Sequence, residues 1–598
     1  MLGRVPVDLR AKADMNNHLR LTPSDLIVIG GYLLLVLGVG FYYRKRMHST
    51  EDYFAGGHQV PWWLAGVSHY ISGASALSFV AYAQLGYTYG LAAITLAWVS
   101  VPGCILGGAI FARRWRQARV VTPVEFLERR FNPFVRQLFA WAGIPMKVAE
   151  DGLKLFATSL FLAVGLNISV TWAVLVCGAI TVAYTFLGGL WALVVTDYIQ
   201  FLMKVMALLL LVPLAFWRAG GVRHALEVLP PSFFHATSGQ YNLIYLIGFG
   251  VMLTITLNGS WALAQKFYSV TDSREASKAA YLSAILHVFG PPLMIIPAIL
   301  SRSFLPDLIA QHRTADVYVL LVLNLLPAGM VGIIVAAMLS ATMATVSADF
   351  SSIASVLTKD VYQRLFRPHV GREKLVAAGK LITLLTGGLS IGIGLYISHR
   401  GDVGVLHLMV VIASAFIAPS FLPVMGALVS RRLNWQGVAV GFFLGLASGL
   451  TLLGLRTWWF PRGHWHWLQA NFDGASILIN TAVTVAGMAF GTLLFGAAQT
   501  QQEKFNQVFG QIEPLGIGAR GTFDQEKIIA FSTISVGVLL GIAAIVAASS
   551  GARFTDSGIA VGLAGFGVYR LRRSSQTARS SDVRKVVAEE SFANSEMR

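Results

Sequence analysis

The sequence predicts an all-α polytopic membrane protein, and three observations carry that prediction. Charged residues make up 13% of the 598, about half of the roughly 25% usual in soluble domains. The mean hydropathy is +0.63. Apolar runs of about 20 residues, the length a spanning helix needs, recur along the whole chain. A soluble protein of this size could not cover its surface with so few charges. Secreted disulfide scaffolds, disordered tails and nucleic-acid modules are excluded as readings of the whole chain.

About 14 runs fit a membrane span. They are 24–43, 60–82, 88–112, 135–166, 170–187, 190–216, 243–265, 277–301, 327–358, 376–399, 403–428, 436–456, 476–498 and 526–549. A weaker fifteenth covers 557–571. The longest connections, near 457–475 and 499–525, are too short for a soluble domain.

The net charge of +17 is distributed in clusters between these runs. Arg44, Lys45 and Arg46 follow the first. Arg113, Arg114, Arg116, Arg119, Arg129 and Arg130 follow the third. Lys266, Arg274 and Lys278 follow the seventh, Lys359, Arg364, Arg367, Arg372 and Lys374 the ninth, and Arg431 and Arg432 the eleventh. Alternating spans place all of them on one face, which the positive-inside rule makes cytoplasmic, with the N-terminus outside. Arg570, Arg572, Arg573, Arg579 and Arg584 return to that face if 557–571 crosses; a short interfacial segment is the alternative. Cys104 and Cys177 both lie in apolar runs, so neither a disulfide frame nor a metal site is indicated. Residues 1–22 carry Arg4, Arg10, Lys12 and Arg20 and lack the apolar core of a signal peptide. Met15 is an alternative start.

Three spans look interrupted. Residues 60–82 contain Ser68, Ser72, Gly73, Ser75 and Ser78; 243–265 contain Asn258-Gly259-Ser260; 327–358 carry Ser340, Thr342, Thr345, Ser347 and Asp349. Small and hydroxylated residues allow close helix packing. They also permit unwound backbone, tolerated at membrane depth only against protein or a water-filled cavity. Two interrupted spans, each opening a five-helix set (spans 2–6 and 7–11), point to inverted repeats and a secondary transporter with a midplane site. A channel or sensor is one rival class. A membrane enzyme is another, but no HExxH and no His/Asp metal spacing supports it.

Four stretches carry a family resemblance. Asp52-Tyr53-Phe54-Ala55-Gly56-Gly57 precedes Pro61-Trp62-Trp63. Gly188-Gly189-Leu190-Trp191-Ala192 is followed by Thr196-Asp197 and Gln200. Gln265-Lys266-Phe267 precedes Ala276. Ala341 through Tyr362 ends in Leu357-Thr358-Lys359-Asp360-Val361-Tyr362. Together, in this order, they resemble the sodium:solute symporter family, which includes sodium/glucose and sodium/proline carriers. The resemblance implies a LeuT-type five-plus-five inverted repeat with flanking helices. Residues 1–23 would be an extracytoplasmic segment, 24–43 a peripheral helix, 60–216 the first repeat and 243–428 the second. Residues 436–571 would hold additional helices and 572–598 a polar tail.

In that family one sodium lies between the second and ninth spans. Its ligands are two carbonyls of the second span, plus one carbonyl and two hydroxyls of the ninth. The resemblance carries the carbonyl positions to Ile71, Ala74 and Ala341, and the hydroxyl positions to Ala344 and Thr345. Oxygen donors suit a small hard cation. Thr345 keeps its hydroxyl; an alanine methyl at 344 cannot ligate. Ser347, three residues past Ala344, and Asp349, on the face of Thr345 one turn on, are the nearest compensating groups. Asp197 resembles the family's aspartate at the inner end of the sixth span, linked to an exit route or second ion site. An acid within a span is costly and is a functional candidate by default. Hydrated interfacial carboxylates are the alternative for Asp197 and Asp349, and a hydroxyl bonded back to its own helix is the alternative for Thr345. A carboxylate beside the altered sodium site leaves proton coupling open.

The family's sugar-binding positions map to Ser78 for a glutamine, Tyr89 for a glutamate, Ser260 for an asparagine, His287 for a lysine and Val410 for a glutamine. Each unpaired buried hydroxyl of a sugar would cost about 1–3 kcal/mol, so recognition of glucose or galactose in the familiar pose is not expected. Ser75, Ser78, Tyr89, Ser260, Trp261 and His287 are the substrate-contact candidates, with packing as the alternative for Trp261 and His287. The fourth span holds Lys147, Glu150, Asp151 and Lys154. The spacing predicts i,i+4 pairs Lys147–Asp151 and Glu150–Lys154, with a substrate-reading charge as the alternative to a structural role. The expected function is sodium-coupled symport of a small organic solute across a bacterial inner membrane by alternating access. A proton-coupled carrier of the same fold, or a non-transporting sensor, is the alternative. No cofactor beyond the coupling ion and no nucleic-acid partner is expected.

Overall fold

The computed structural model describes residues 22–43, 49–73, 76–166, 168–239, 241–310, 314–326, 330–399, 405–456, 466–496, 499–510, 525–546 and 557–572. Helices occupy each apolar run. In chain order the principal ones are α1 Pro23–Tyr43, α2 Trp62–Ser72, α3 Ala76–Tyr89, α4 Leu91–Gln117, α5 Pro133–Leu166, α6 Val170–Leu187 and α7 Gly189–Arg218. They continue with α8 Leu243–Gly259, α9 Trp261–Tyr268, α10 Ser273–Ser301, α11 Val317–Leu325, α12 Met330–Val356, α13 Arg372–His399 and α14 Val405–Val429. The last are α15 Trp435–Gly454, α16 His466–Phe495, α17 Gln499–Phe509, α18 Gln525–Val546 and α19, residues 557–572.

Among the described residues, nine helices are long and apolar enough to cross a membrane, or ten counting the bent pair α8–α9. This is fewer than the apolar runs suggest. The second span is divided into α2 and α3, and α5 carries four charged residues in its middle.

Two of the three expected interruptions fall between separate helices. In the second span one helix ends at Ser72 and the next runs from Ala76 to Tyr89; residues 74 and 75 between them lie outside the described residues. Tyr89 therefore ends α3 and does not open the third span. The seventh breaks at Ser260, whose extended backbone (φ −62°, ψ 137°) separates α8 from α9 at 51°. The ninth span is not interrupted: α12 is continuous and every one of its residues is buried. Its hydroxyls bond back along their own helix, Ser340 to the Ala337 carbonyl (2.6 Å), Thr345 to Ala341 (2.9 Å) and Ser347 to Ala344 (3.2 Å). Small residues here serve close packing. Around α12, Asp25 of α1 accepts from the Gly332 N–H (2.7 Å), Thr158 of α5 donates to Thr342 (2.6 Å) and Tyr184 of α6 donates to the Met343 carbonyl (2.9 Å).

The four stretches that carry the family resemblance meet in space. Gly189, at φ 55° and ψ −158°, separates α6 from α7 in a conformation only glycine adopts freely. A side chain there would also strike the Tyr53 backbone. Beside it the Trp191 indole donates to the Gly56 carbonyl (3.1 Å), and the Tyr53 hydroxyl to the Thr185 carbonyl (3.2 Å). Gln265 donates to the Phe54 carbonyl (2.6 Å) and to Ser351 (3.3 Å).

Candidate functional site

The two helix breaks converge on Asp197. This residue lies two turns into α7 and is fully buried. One carboxylate oxygen accepts from Ser68 and, at 3.4 Å, from Ser72, both on the last turns of α2 before its break. The Lys266 ammonium of α9, beyond the other break, lies 3.6 Å from the same oxygen. The second oxygen, Oδ1, is buried without a hydrogen-bond partner, as is Lys266 Nζ. Asp197 is thus no hydrated interfacial carboxylate. A buried carboxylate oxygen with an unused lone pair is costly unless a cation or donor meets it.

Ile71 and Ala341 are fully buried, on α2 and α12. The Ile71 carbonyl lies in the final turn of α2, where the Gly73 N–H reaches it. The Ala341 carbonyl accepts the Thr345 hydroxyl, and Ser347 is likewise turned onto its own helix. A carbonyl has a second lone pair and a hydroxyl can still accept, so these bonds leave oxygen donors for an ion. Ala74 and Ser75 lie outside the described residues, as does the Val410 side chain.

The substrate candidates are not gathered into one cavity. Ser78 is half-buried on α3. Tyr89 packs edge-on against Tyr241 (ring centroids 5.3 Å), beside the start of α8. Ser260 forms the break, and Trp261 is buried against Gly143 of α5. A cavity of ≈10 Å³ remains there, walled by Trp261, Met146, Lys147, Ser420 and Phe421; that is about one water. His287 sits on another side of α2: its Nδ1 donates to the Ser283 carbonyl (2.8 Å) and its ring meets Tyr70 edge-on (4.9 Å).

Sequence reading missed His69. Its imidazole is buried in α2, bridging Ser283 of α10 (2.9 Å) and the Leu257 carbonyl just before the α8 break (3.0 Å). Its signal was available: a histidine inside an apolar, interrupted span.

The fourth-span charges form a network that sequence spacing could not foresee. Asp349 of α12 joins it and is buried, not hydrated at an interface. Its two oxygens take Lys147 at 3.1 Å and Lys154 at 2.8 Å. The expected Glu150–Lys154 pair is present (2.8 Å). The expected Lys147–Asp151 pair is replaced by Lys147–Glu150 (3.0 Å), and Asp151 lies 3.5 Å from Lys154. The cross-helix carboxylate decides this, because it draws both ammoniums toward α12. One enzyme-like spacing, Gly388-Leu389-Ser390-Ile391-Gly392, falls inside α13. Ser390 is buried there with its hydroxyl on the Val148 carbonyl (3.2 Å), which is not the strand-to-helix elbow a nucleophile needs.

A polytopic helical bundle with two broken spans meeting at a buried acid defines a secondary transporter. The sequence model of the Sodium:solute symporter family matches residues 53–445, and the chain belongs to that family. It is a sodium-coupled solute symporter and not an enzyme. It is similar to a sodium/glucose cotransporter 4 of Danio rerio, 26% identical over 72% of this chain and 71% of the relative. It is also similar to a sodium/sialic acid symporter of Aliivibrio fischeri, 24% identical over 71% of this chain and 87% of that one. Among solved structures, a Na+-coupled sialic acid symporter in a substrate-bound outward-open state shares the fold. Its TM-score is 0.68 at 21% identity, over 80% of this chain and 99% of that one.

Proposed function

We propose that the chain carries a small organic solute inward with sodium, and that Asp197 and the broken α2 form the ion-responsive centre. Spans 2–6 and 7–11 act as inverted repeats that rock against each other. The N-terminus lies outside, and the plasma membrane of a bacterial cell is the site of action, from the basic-loop asymmetry. The observation that carries the reading is the Asp197 cluster. Ser68 and Ser72 before one break and Lys266 beyond the other meet on a carboxylate that retains an unpaired oxygen. Coupling requires the ion to bind the two access states differently. A cluster built from both repeats changes its geometry whenever they move.

Ile71 of α2 and Ala341 and Thr345 of α12 supply a second set of oxygens, with Ala74 as a further mapped carbonyl position and Ser347 as a replacement for the hydroxyl absent at Ala344. Ser75, Ser78, Ser260, Trp261, Tyr89 and His287 remain the substrate candidates. A relative's sugar or sialic acid extends to this chain only as the class of small hydrophilic solute. The test is uptake in proteoliposomes, with solutes first screened by thermal shift. Asp197→Asn should lose sodium-dependent uptake while remaining folded. Uptake with unaltered sodium dependence in that variant refutes the reading.

A further inference from the structure

A large cavity lies away from both breaks, on the face that carries the basic loops. Its volume is ≈670 Å³, within the roughly 300–1,000 Å³ of small-molecule sites. Its walls come from the segment before α2, the loop between α4 and α5, the turn after α9 and the stretch following α12. Six basic side chains line it, Arg116, Arg119, Arg129, Arg136, Lys359 and Arg364, against the acids Glu51 and Glu125.

Internal ion pairs use part of this charge. Glu125 takes Arg129 at 2.5 Å, Glu128 takes Arg136 and, at 2.6 Å, Arg364, and the buried Asp360 also takes Arg136. Six cations against four acids, these three and Glu51, leave two positive charges. Arg119 and Lys359 have no ion pair among the described residues. His58, also on the wall, adds none: its Nδ1 donates to the Tyr268 carbonyl at 2.6 Å, and burial holds the imidazole below its ordinary value, hence neutral at pH 7.

The backbone gives an independent sign. Among the described residues, two non-glycine positions have left-handed φ, His58 at 56° and Arg119 at 50°. Both line this cavity. Residues held in such conformations gather at ligand clamps, because the surrounding structure must over-determine them. The Arg119 carbonyl is held by Arg129 (3.2 Å), and its N–H by the Arg116 carbonyl (3.2 Å). The positive-inside rule explains cations on this face. It does not explain their placement around a concave wall strained at two points.

We propose that this cavity is a binding site for a phosphate monoester, a dianion that matches the two surplus charges. The phosphate belongs to a soluble metabolite or to a lipid headgroup; guanidinium recognition of its oxygens is the same for both. A ligand there would tie the α4–α5 loop to the segment after α12, and so one helical half of the transporter to the other.

The experiment uses the full-length protein in phosphatidylcholine nanodiscs, with sodium held constant and ionic strength matched by chloride. One arm titrates glycerol 3-phosphate; the other replaces part of the lipid with phosphatidic acid. Thermal unfolding by tryptophan fluorescence reads binding to the folded state. Saturable stabilisation is expected in one arm, and the arm that responds identifies the source. The double variant Arg119→Gln/Lys359→Gln should raise the half-saturating concentration about 10–30-fold, because it removes both cations that no internal acid pairs. Glu51→Gln removes an opposing charge and should lower it, which keeps the proposal testable if the double variant fails to fold. No saturable shift in either arm, an equal shift with chloride alone, or a shift indifferent to these substitutions overturns the proposal.

Discussion

Lys154→Met should destabilise the protein far more than Asp349→Asn, although the two residues share one ion pair. The buried network holds two ammoniums, Lys147 and Lys154, and three carboxylates, Glu150, Asp151 and Asp349. Asp349→Asn lowers the count to two against two. Lys147 keeps Glu150 at 3.0 Å and Lys154 keeps Glu150 at 2.8 Å. Asparagine keeps one of the two accepting oxygens, so the loss is about one charge-assisted hydrogen bond, roughly 1.5–3 kcal/mol. Lys154→Met leaves three carboxylates around one ammonium, all within the bundle. Removing one partner of a buried pair costs about 3–5 kcal/mol, because the remaining charge is uncompensated.

The same bookkeeping makes the double variant Lys154→Met/Asp349→Asn more stable than Lys154→Met alone. Removing the second charge relieves the first, and the coupling should be on the order of 1–3 kcal/mol. Unfolding of the purified transporter in mixed micelles titrated with SDS gives the three differences, with helix content by circular dichroism as readout. An Asp349→Asn variant as unstable as Lys154→Met, or a double variant no better than the single lysine change, would refute the charge count.

Thr345→Ala should weaken sodium-dependent uptake strongly, since it removes the side-chain hydroxyl left at the mapped ion position; a sodium titration of transport checks it. Ala344→Ser should shift that titration to lower sodium by supplying the missing oxygen, and an unchanged midpoint means that position 344 does not face the ion. Gly189→Ala should destabilise by about 1–3 kcal/mol, from a left-handed φ of 55° and contact with the Tyr53 backbone; thermal unfolding measures it. Removing sodium by dialysis into a choline buffer should lower the unfolding temperature of the wild type and shift Asp197→Asn much less, because an ion that binds the folded state stabilises it by mass action.

The sequence determined the architecture through composition and local pattern. Apolar runs of span length place the helices, because the hydrocarbon core admits no unsatisfied backbone. Asn258-Gly259-Ser260 marked a true break, since its residues favour turns and the chain bends there by 51°. The same reasoning failed at α12, where hydroxylated residues signalled a break that is absent. Composition cannot distinguish a hydroxyl that replaces a backbone bond from one that accepts a place beside an intact helix. That choice belongs to the neighbours: Tyr32, Thr158 and Tyr184 pack along α12 and leave no space for unwound chain.

Charge partners show the division most clearly. Within α5, helical spacing identified Glu150–Lys154 but misassigned Lys147, because local geometry offered Asp151 and tertiary geometry offered Asp349, 202 positions away along the chain from Lys147. Likewise the sequence named Ser68 and Ser72, Asp197, and Lys266 in three separate contexts. Only packing brought both broken spans onto one carboxylate, since electrostatic energy depends on distances of a few ångströms that no sequence separation encodes.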